Sequence, residues 1–243
     1  MNSGKPPLRI AHAFGNHREE IRRALSAPLD MIEADIWLRG DRAWVRHERR
    51  LGPTPLLADR RMPGHTAGRL ALPIWPRYYI RPDLDPLSLD ELLDSVGGRR
   101  RLLLDIKGDD RPVVDEGAVA GLARRLTSRG VRENVAACGQ NWTLLSRLRE
   151  IAPELEVRYS IETPQQWARF LDMPHATSGV CMERRLINEE RVRVLTENGL
   201  SVYCWTVDDQ AEAQRLLAAG VDGIISNRLG LLASLERASP PAA

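Results

Sequence analysis

The sequence has few cysteines, no long apolar run and no recognisable leader segment. Its three cysteines, Cys138, Cys181 and Cys204, lie in separate apolar segments without a CxxC pair, which is typical of small buried thiols and not of a disulfide framework or metal knot. No segment approaches the roughly 18 apolar residues of a membrane-spanning helix. Residues 1–15 lack the apolar centre of a secretory signal peptide. We therefore expect a cytoplasmic protein without a transmembrane segment.

The sequence also lacks an excess of charge of either sign. Its 35 basic and 33 acidic side chains give a formal net charge of +2. The arginines fall on predicted helix faces and are not interleaved with aromatic residues, so a nucleic-acid surface is not indicated. Neither GxGxxG nor GxxxxGK[ST] follows a predicted strand, which weakens a nucleotide-binding interpretation. We expect a small-molecule or lipid substrate and no nucleic acid, and the sequence leaves the oligomeric state open.

Strands and helices alternate along the chain. Predicted strands begin at Leu8, Met31, Leu102, Asn134, Leu155, Gly179, Ser201 and Gly223. Three of the intervening helices end in glycine followed by an apolar residue, at Gly130, Gly199 and Gly220, as expected where a left-handed residue stops a helix. Eight such units predict an α/β fold, a (β/α)8 TIM barrel forming one domain over residues 1–243. The alternative is an open, doubly wound sheet.

A long stretch, residues 48–86, interrupts this alternation after the second strand and its hairpin. It is rich in proline, glycine and arginine and contains PIWPRYYI. Long loops of this kind in compact domains are commonly functional. We interpret it as a small hairpin and loop insertion that forms a cap or rim.

The stretch from residue 30 to residue 47, DMIEADIWLRGDRAWVRH, places two carboxylates among apolar residues. In a strand, Glu33 and Asp35 would point to the same face. Buried carboxylates need a partner, and a divalent cation with oxygen ligands is the simplest one. The following hairpin would return His47 to the same neighbourhood. The alternative is that both carboxylates are solvated on an open sheet edge and paired with arginines.

In a barrel of this type the working residues lie at the carboxyl ends of the strands. The polar or aromatic residues at those ends are His12, Glu33, Asp35, His47, Asp105, Lys107, Trp205 and Thr206. The three carboxylates suit a cation, the lysine suits an anionic oxygen, and the histidines suit acid and base catalysis. Taken singly, His12 is more typical of a core or rim histidine, and Trp205 of a core residue. Lys107 alone equally fits a salt bridge to Asp105.

The order of these motifs resembles the glycerophosphodiester phosphodiesterase family and the related sphingomyelinase D-like phospholipases. The matching motifs are IAH at 10–12, IEADI at 32–36, WVRH at 44–47, LLLDIK at 102–107, WTVDD at 205–209 and GVDGIIS at 220–226. The resemblance spans nearly the whole chain. It implies a phosphoric diester hydrolase of lipid metabolism that converts glycerophosphodiesters to an alcohol and glycerol phosphate.

The resemblance also implies roles for individual residues. Glu33, Asp35 and Asp105 would bind one Mg²⁺ or Ca²⁺. His12 and His47 would form the acid/base pair. Lys107 would hold a phosphate oxygen, and Trp205 would form the wall on the alcohol side.

Two departures from the family pattern bear on the substrate. Ala13 stands where the hydrolases usually have the arginine of His-Arg-Gly, and the third predicted metal ligand is Asp105 instead of glutamate. Both departures favour the sphingomyelinase D-like alternative, in which the reaction would form a cyclic phosphate. Two further alternatives are a barrel aldolase with Lys107 as the Schiff-base former and a non-catalytic barrel that serves as a binding module.

Overall fold

The structure is a computed structural model that describes residues 6–47, 57–60, 72–75, 78–81, 87–107, 114–173 and 176–235. Its strands are β1 (Leu8–Ala11), β2 (Met31–Arg39), β3 (Arg42–Val45), β4 (Leu57–Arg60), β5 (Leu72–Trp75), β6 (Tyr78–Arg81), β7 (Leu87–Ser88), β8 (Arg101–Ile106), β9 (Val135–Gly139), β10 (Glu156–Ile161), β11 (Gly179–Glu183), β12 (Ser201–Trp205) and β13 (Gly223–Ser226). Strands β1, β2 and β8 to β13 are parallel, and β1 pairs with both β2 and β13. The sheet therefore closes into the predicted eight-stranded barrel, and the open-sheet alternative is wrong.

Helices follow the barrel strands. They are α1 (Arg18–Leu25), α2 (Leu89–Val96), α3 (Glu116–Ser128), α4 (Trp142–Ile151), α5 (Pro164–Leu171), α6 (Glu189–Glu197), α7 (Gln210–Ala218) and α8 (Leu229–Ala233). The predicted glycine stops are confirmed, since Gly130, Gly199 and Gly220 have φ of 64°, 71° and 94°. Among the described helices, none has the length and apolar character needed to cross a lipid bilayer.

Side chains inside the barrel form a separate apolar cluster below the mouth. Its buried members are Ile10, Met31, Leu103, Ala136, Cys138, Cys181, Tyr203 and Ile225. Alternate residues of a strand share a face, so Met31 in the lumen places Glu33 and Asp35 in the lumen as well. Glu33 is 3% exposed and Asp35 is 0% exposed. The alternative of solvated carboxylates on an open sheet edge is therefore wrong.

The amino end of the barrel is filled by a buried arginine. The Arg158 guanidinium lies 3.3 Å from the centre of the Tyr203 ring and donates to Glu156 and to the Ser201 hydroxyl, each at 2.6 Å. Gly179 leaves room for it, because a Cβ there would lie 2.7 Å from Arg158 Nη1. These contacts close the end of the barrel opposite the predicted site.

The predicted insertion is described only in part. β3 forms a hairpin with β2 and also pairs with β7, while β4, β6 and β5 form a three-stranded antiparallel sheet. The rest of residues 48–86 lies outside the described residues, so the predicted cap or rim stays a prediction.

Candidate active site

The structure brings the predicted site residues to the carboxyl end of the barrel. His12 follows β1, Glu33 and Asp35 lie in β2, His47 follows β3, Asp105 lies in β8, Lys107 follows β8, and Trp205 ends β12. These elements are adjacent because β2 pairs with β1, β3 and β8. The fold thus brings the predicted site residues to one mouth of the barrel, as expected.

Three carboxylates form the centre of the site. Asp35 and Asp105 are direct partners across β2 and β8. One carboxylate oxygen from each of Glu33, Asp35 and Asp105 lies within 4.8 Å of the others. Three oxygen ligands at this spacing suit a hard divalent cation such as Mg²⁺ or Ca²⁺.

Lys107 partly neutralises this cluster. Its Nζ lies 2.6 Å from Asp35 Oδ1 and 2.5 Å from Asp105 Oδ2. Burial alone would lower the pKa of Lys107, but the surrounding carboxylates raise it well above its ordinary value. Burial would raise the pKa of Asp35, yet the nearby positive groups, Lys107 first and then His47, outweigh burial and the pKa is lowered. A Schiff-base lysine needs the opposite shift, so this environment disfavours the aldolase alternative.

Glu33 has the strongest need for a further positive partner. Its Oε2 accepts a hydrogen bond from the Ala13 N–H. Its Oε1 is buried and has no hydrogen-bond partner in the described part of the chain. Burial, and then the charges of Asp35 and Asp105, raise the pKa of Glu33 well above its ordinary value. An ionised Glu33 is therefore costly here unless a cation lies beside it, and the residues present fit such an ion.

The His12 ring is held by a chain of hydrogen bonds from the end of β13. The Asn227 side-chain amide donates to Asp208 Oδ2 at 2.8 Å, and its Oδ1 lies 2.9 Å from His12 Nδ1. Because the amide nitrogen is committed to Asp208, the oxygen faces the ring and His12 Nδ1 is the donor. Nε2 is then the proton-accepting nitrogen. Burial lowers the pKa of His12, which favours the neutral base.

His47 lies close enough to His12 and Asp35 for its charge to affect their pKa values. The hairpin is tied to β2 by the Arg46 N–H, which donates to the Asp35 carbonyl at 2.8 Å. The charge of His47 contributes to lowering the pKa of both His12 and Asp35. The two predicted acid/base residues therefore lie near the carboxylate cluster together.

Three polar residues of the site were not assigned by the sequence pattern. Asp208 and Asn227 hold His12, and Asn16 binds Asp35 through two hydrogen bonds. Asn16 and Asn227 have a weak sequence signal, because each is only a small polar residue shortly after a strand. Asp208 lies in the WTVDD motif at 205–209, but the motif gave it no role. Trp205 is half-buried and packs against the lumen cluster, so it has both core and site contacts.

Sequence comparison gives an independent result. The model of the "Glycerophosphoryl diester phosphodiesterase family" matches residues 16–231. A glycerophosphodiester phosphodiesterase of Bacillus subtilis is 24% identical over 58% of this chain, and that match covers only half of the relative's length. An Arabidopsis thaliana glycerophosphodiester phosphodiesterase is 27% identical over 91% of this chain and 71% of its own.

Solved structures with the same fold include two phosphodiesterases. One, from Oleispira antarctica in complex with the product sn-glycerol-3-phosphate, has a TM-score of 0.68 at 18% identity over 93% of this chain and 95% of its own. Another, from Parabacteroides distasonis, has a TM-score of 0.68 at 15% identity over 94% and 96%. At these identities the likeness concerns the fold, whereas the family model matches the sequence itself. The chain belongs to the glycerophosphoryl diester phosphodiesterase family.

Proposed function

We propose that this protein hydrolyses glycerophosphodiesters to an alcohol and glycerol phosphate in a reaction that depends on one divalent cation. The observation that carries the proposal is the cluster of the buried Glu33 and Asp35 with the half-buried Asp105, with His12 and Lys107 at the same barrel mouth. Family membership supports the reaction class, and the Oleispira relative holds sn-glycerol-3-phosphate.

Glu33, Asp35 and Asp105 would hold the cation, Mg²⁺ or Ca²⁺. A bound divalent cation would polarise a phosphoryl oxygen and offset the negative charge that develops during attack on phosphorus. The buried Glu33 Oε1 supports this assignment because it has no hydrogen-bond partner among the described residues.

Each histidine would carry out one of the two proton transfers of the reaction. His12 is the better base, since burial lowers its pKa and the Asn227 contact leaves Nε2 as its acceptor. We assign His12 to the attacking water and His47 to protonation of the leaving alcohol oxygen. Acid/base catalysis of this kind contributes about 10²–10⁴-fold to a rate.

Lys107 and Trp205 would orient the substrate. A lysine ammonium has three N–H donors, and Lys107 directs two of them to Asp35 and Asp105. The third, together with any donor that a bound cation displaces from these carboxylates, can donate to a phosphate oxygen. Trp205 ends β12 across the mouth from β8 and would form the wall against the alcohol.

The test is turnover of glycerophosphocholine followed by ³¹P NMR. We expect wild-type protein to release a phosphate monoester with Mg²⁺ or Ca²⁺ and to stop when EDTA is added. His12→Ala and His47→Ala should each lower turnover by at least 10²-fold while remaining folded by circular dichroism. Turnover indifferent to EDTA and to both substitutions would refute the proposal.

The same spectra distinguish the alternatives. A cyclic phosphate product would favour the sphingomyelinase D-like reaction, which Ala13 and Asp105 suggested from the sequence. Cation binding without turnover of any phosphodiester would favour the binding module. The cytoplasmic location stays a prediction.

A further inference from the structure

The three carboxylates of the cluster share one arrangement. Each has one oxygen held by a donor outside the cluster: Glu33 Oε2 by the Ala13 N–H, Asp35 Oδ2 by Asn16 Nδ2 at 2.6 Å, and Asp105 Oδ1 by Cys138 Sγ at 3.8 Å. The other oxygens of Asp35 and Asp105 contact Lys107 Nζ, and that of Glu33 has no hydrogen-bond partner in the described residues. The donors thus hold one oxygen of each carboxylate, and the other oxygen, which in Asp35 and Asp105 contacts Lys107 here, is the one that a cation would take.

Two of these three donors are side chains that a substitution can remove, Asn16 and Cys138. Asn16 makes the shorter contact. It is 5% exposed. Its Nδ2 donates to Asp35 Oδ2 at 2.6 Å, and its Oδ1 accepts the Asp35 N–H at 2.9 Å. The amide therefore bridges the backbone and the carboxylate of one residue, which fixes the side-chain rotamer of Asp35. By contrast, the Cys138 thiol is a weak donor.

The local fold holds Asn16 against β2. A 3₁₀ turn spans Phe14–Asn16 and follows Ala13, whose φ is 58°. A Cβ on Gly15 would lie 2.4 Å from Ala34 Cβ and 3.0 Å from the Glu33 carbonyl oxygen. Glycine is therefore required for the turn to approach the strand this closely.

We propose that Asn16 is a positioning residue that orients Asp35 for divalent-cation binding. The inference rests on the proposed cation site and adds a residue to which that proposal assigns no part. Loss of a residue that orients a metal ligand typically weakens metal affinity by about 10–100-fold. We expect the effect in cation affinity, with turnover at saturating cation changed much less.

The experiment is isothermal titration calorimetry of the full chain with MgCl₂ and with CaCl₂. The variants are Asn16→Ala and, as a milder change, Asn16→Ser. Thr177→Val is the matched control, because Thr177 is equally buried and lies at the amino end of the barrel, where its single O–H can donate to either the Val157 or the Gly179 carbonyl, each 2.7 Å away. We expect the control to bind as the wild type does, Asn16→Ala to bind about 10–100-fold more weakly, and Asn16→Ser to be intermediate.

The outcomes separate the two proposals. If folded Asn16→Ala, or Asn16→Ser where the alanine variant does not fold, binds the cation within twofold of wild type, the role of Asn16 is refuted and the cation site stands. If wild type binds neither ion, the cation site and the role of Asn16 are both refuted. A saturating-cation rate that falls as far as the affinity would also contradict a positioning role.

Discussion

Asn227→Asp tests the assignment of His12 as the catalytic base. In the wild type, Asn227 Oδ1 lies 2.9 Å from His12 Nδ1 and contributes no net charge. The substitution would place a carboxylate against the ring and stabilise the imidazolium. The neutral ring is the proposed base, so activity falls as the pH drops through the His12 pKa. Because burial lowers that pKa from 6.5, the acid limb of wild-type kcat/KM should lie below pH 6.5.

The size of the shift follows from the contacts. An opposite charge this close raises a histidine pKa by about 1–3 units. Asp208 already lies 2.8 Å from the Asn227 amide nitrogen, so repulsion between the two carboxylates should reduce the effect. We therefore expect the pKa of His12 to rise by about 1–2 units, where one unit corresponds to about 1.4 kcal/mol. At a pH well below both acid limbs, kcat/KM should therefore fall by about 10–100-fold.

The assay is the pH profile of kcat/KM for glycerophosphocholine at saturating Mg²⁺. Asn227→Leu is the control, because it removes the acceptor without adding charge. It should lower kcat/KM by about tenfold, the value of one lost hydrogen bond, without moving the acid limb upward. An acid limb that stays in place, or moves to lower pH, in Asn227→Asp would refute the assignment.

Three further predictions concern stability. Mg²⁺ at 100 times its Kd should stabilise the fold by about 2.7 kcal/mol and raise Tm by about 5–11 °C in scanning fluorimetry; no rise would contradict the cation site. Glu33→Gln should raise the Tm of the cation-free protein by relieving carboxylate repulsion, and should remove most of the Mg²⁺ effect; a lower cation-free Tm would count against the repulsion. Gly15→Ala should reduce the free energy of unfolding in urea by about 1–3 kcal/mol, because its Cβ would clash with Ala34; an unchanged value would contradict the close approach.

The barrel could be predicted because its signals are local. Each strand is a short apolar run, and glycine stops such as Gly130, Gly199 and Gly220 need no tertiary information. The predicted strand starts at Leu102, Asn134 and Leu155 differ from the observed Arg101, Val135 and Glu156 by one residue. Strand ends are harder to place than the strands themselves, because the apolar pattern of a strand does not change sharply at its first residue.

The carboxylate cluster could be predicted for the same reason, whereas the contacts that hold His12 and Lys107 beside it could not. Glu33 and Asp35 share a face because they are two residues apart. Asn227 and His12 are 215 residues apart and meet only when β1 pairs with β13. No local pattern identifies such a contact. The contacts of Lys107 likewise depend on the pairing of β2 with β8, which makes the salt-bridge interpretation and the phosphate-binding interpretation compatible.

Anomalous diffraction from a crystal soaked in Mn²⁺ would locate directly a cation bound by the three carboxylates. We expect a single strong peak at the barrel mouth, roughly 2.0–2.6 Å from an oxygen of each of Glu33, Asp35 and Asp105. Lys107 Nζ should have moved away from at least one of its carboxylate partners to admit the ion. A fully occupied Mn²⁺ elsewhere, or no peak with Lys107 still bridging Asp35 and Asp105, would contradict the proposed cation site.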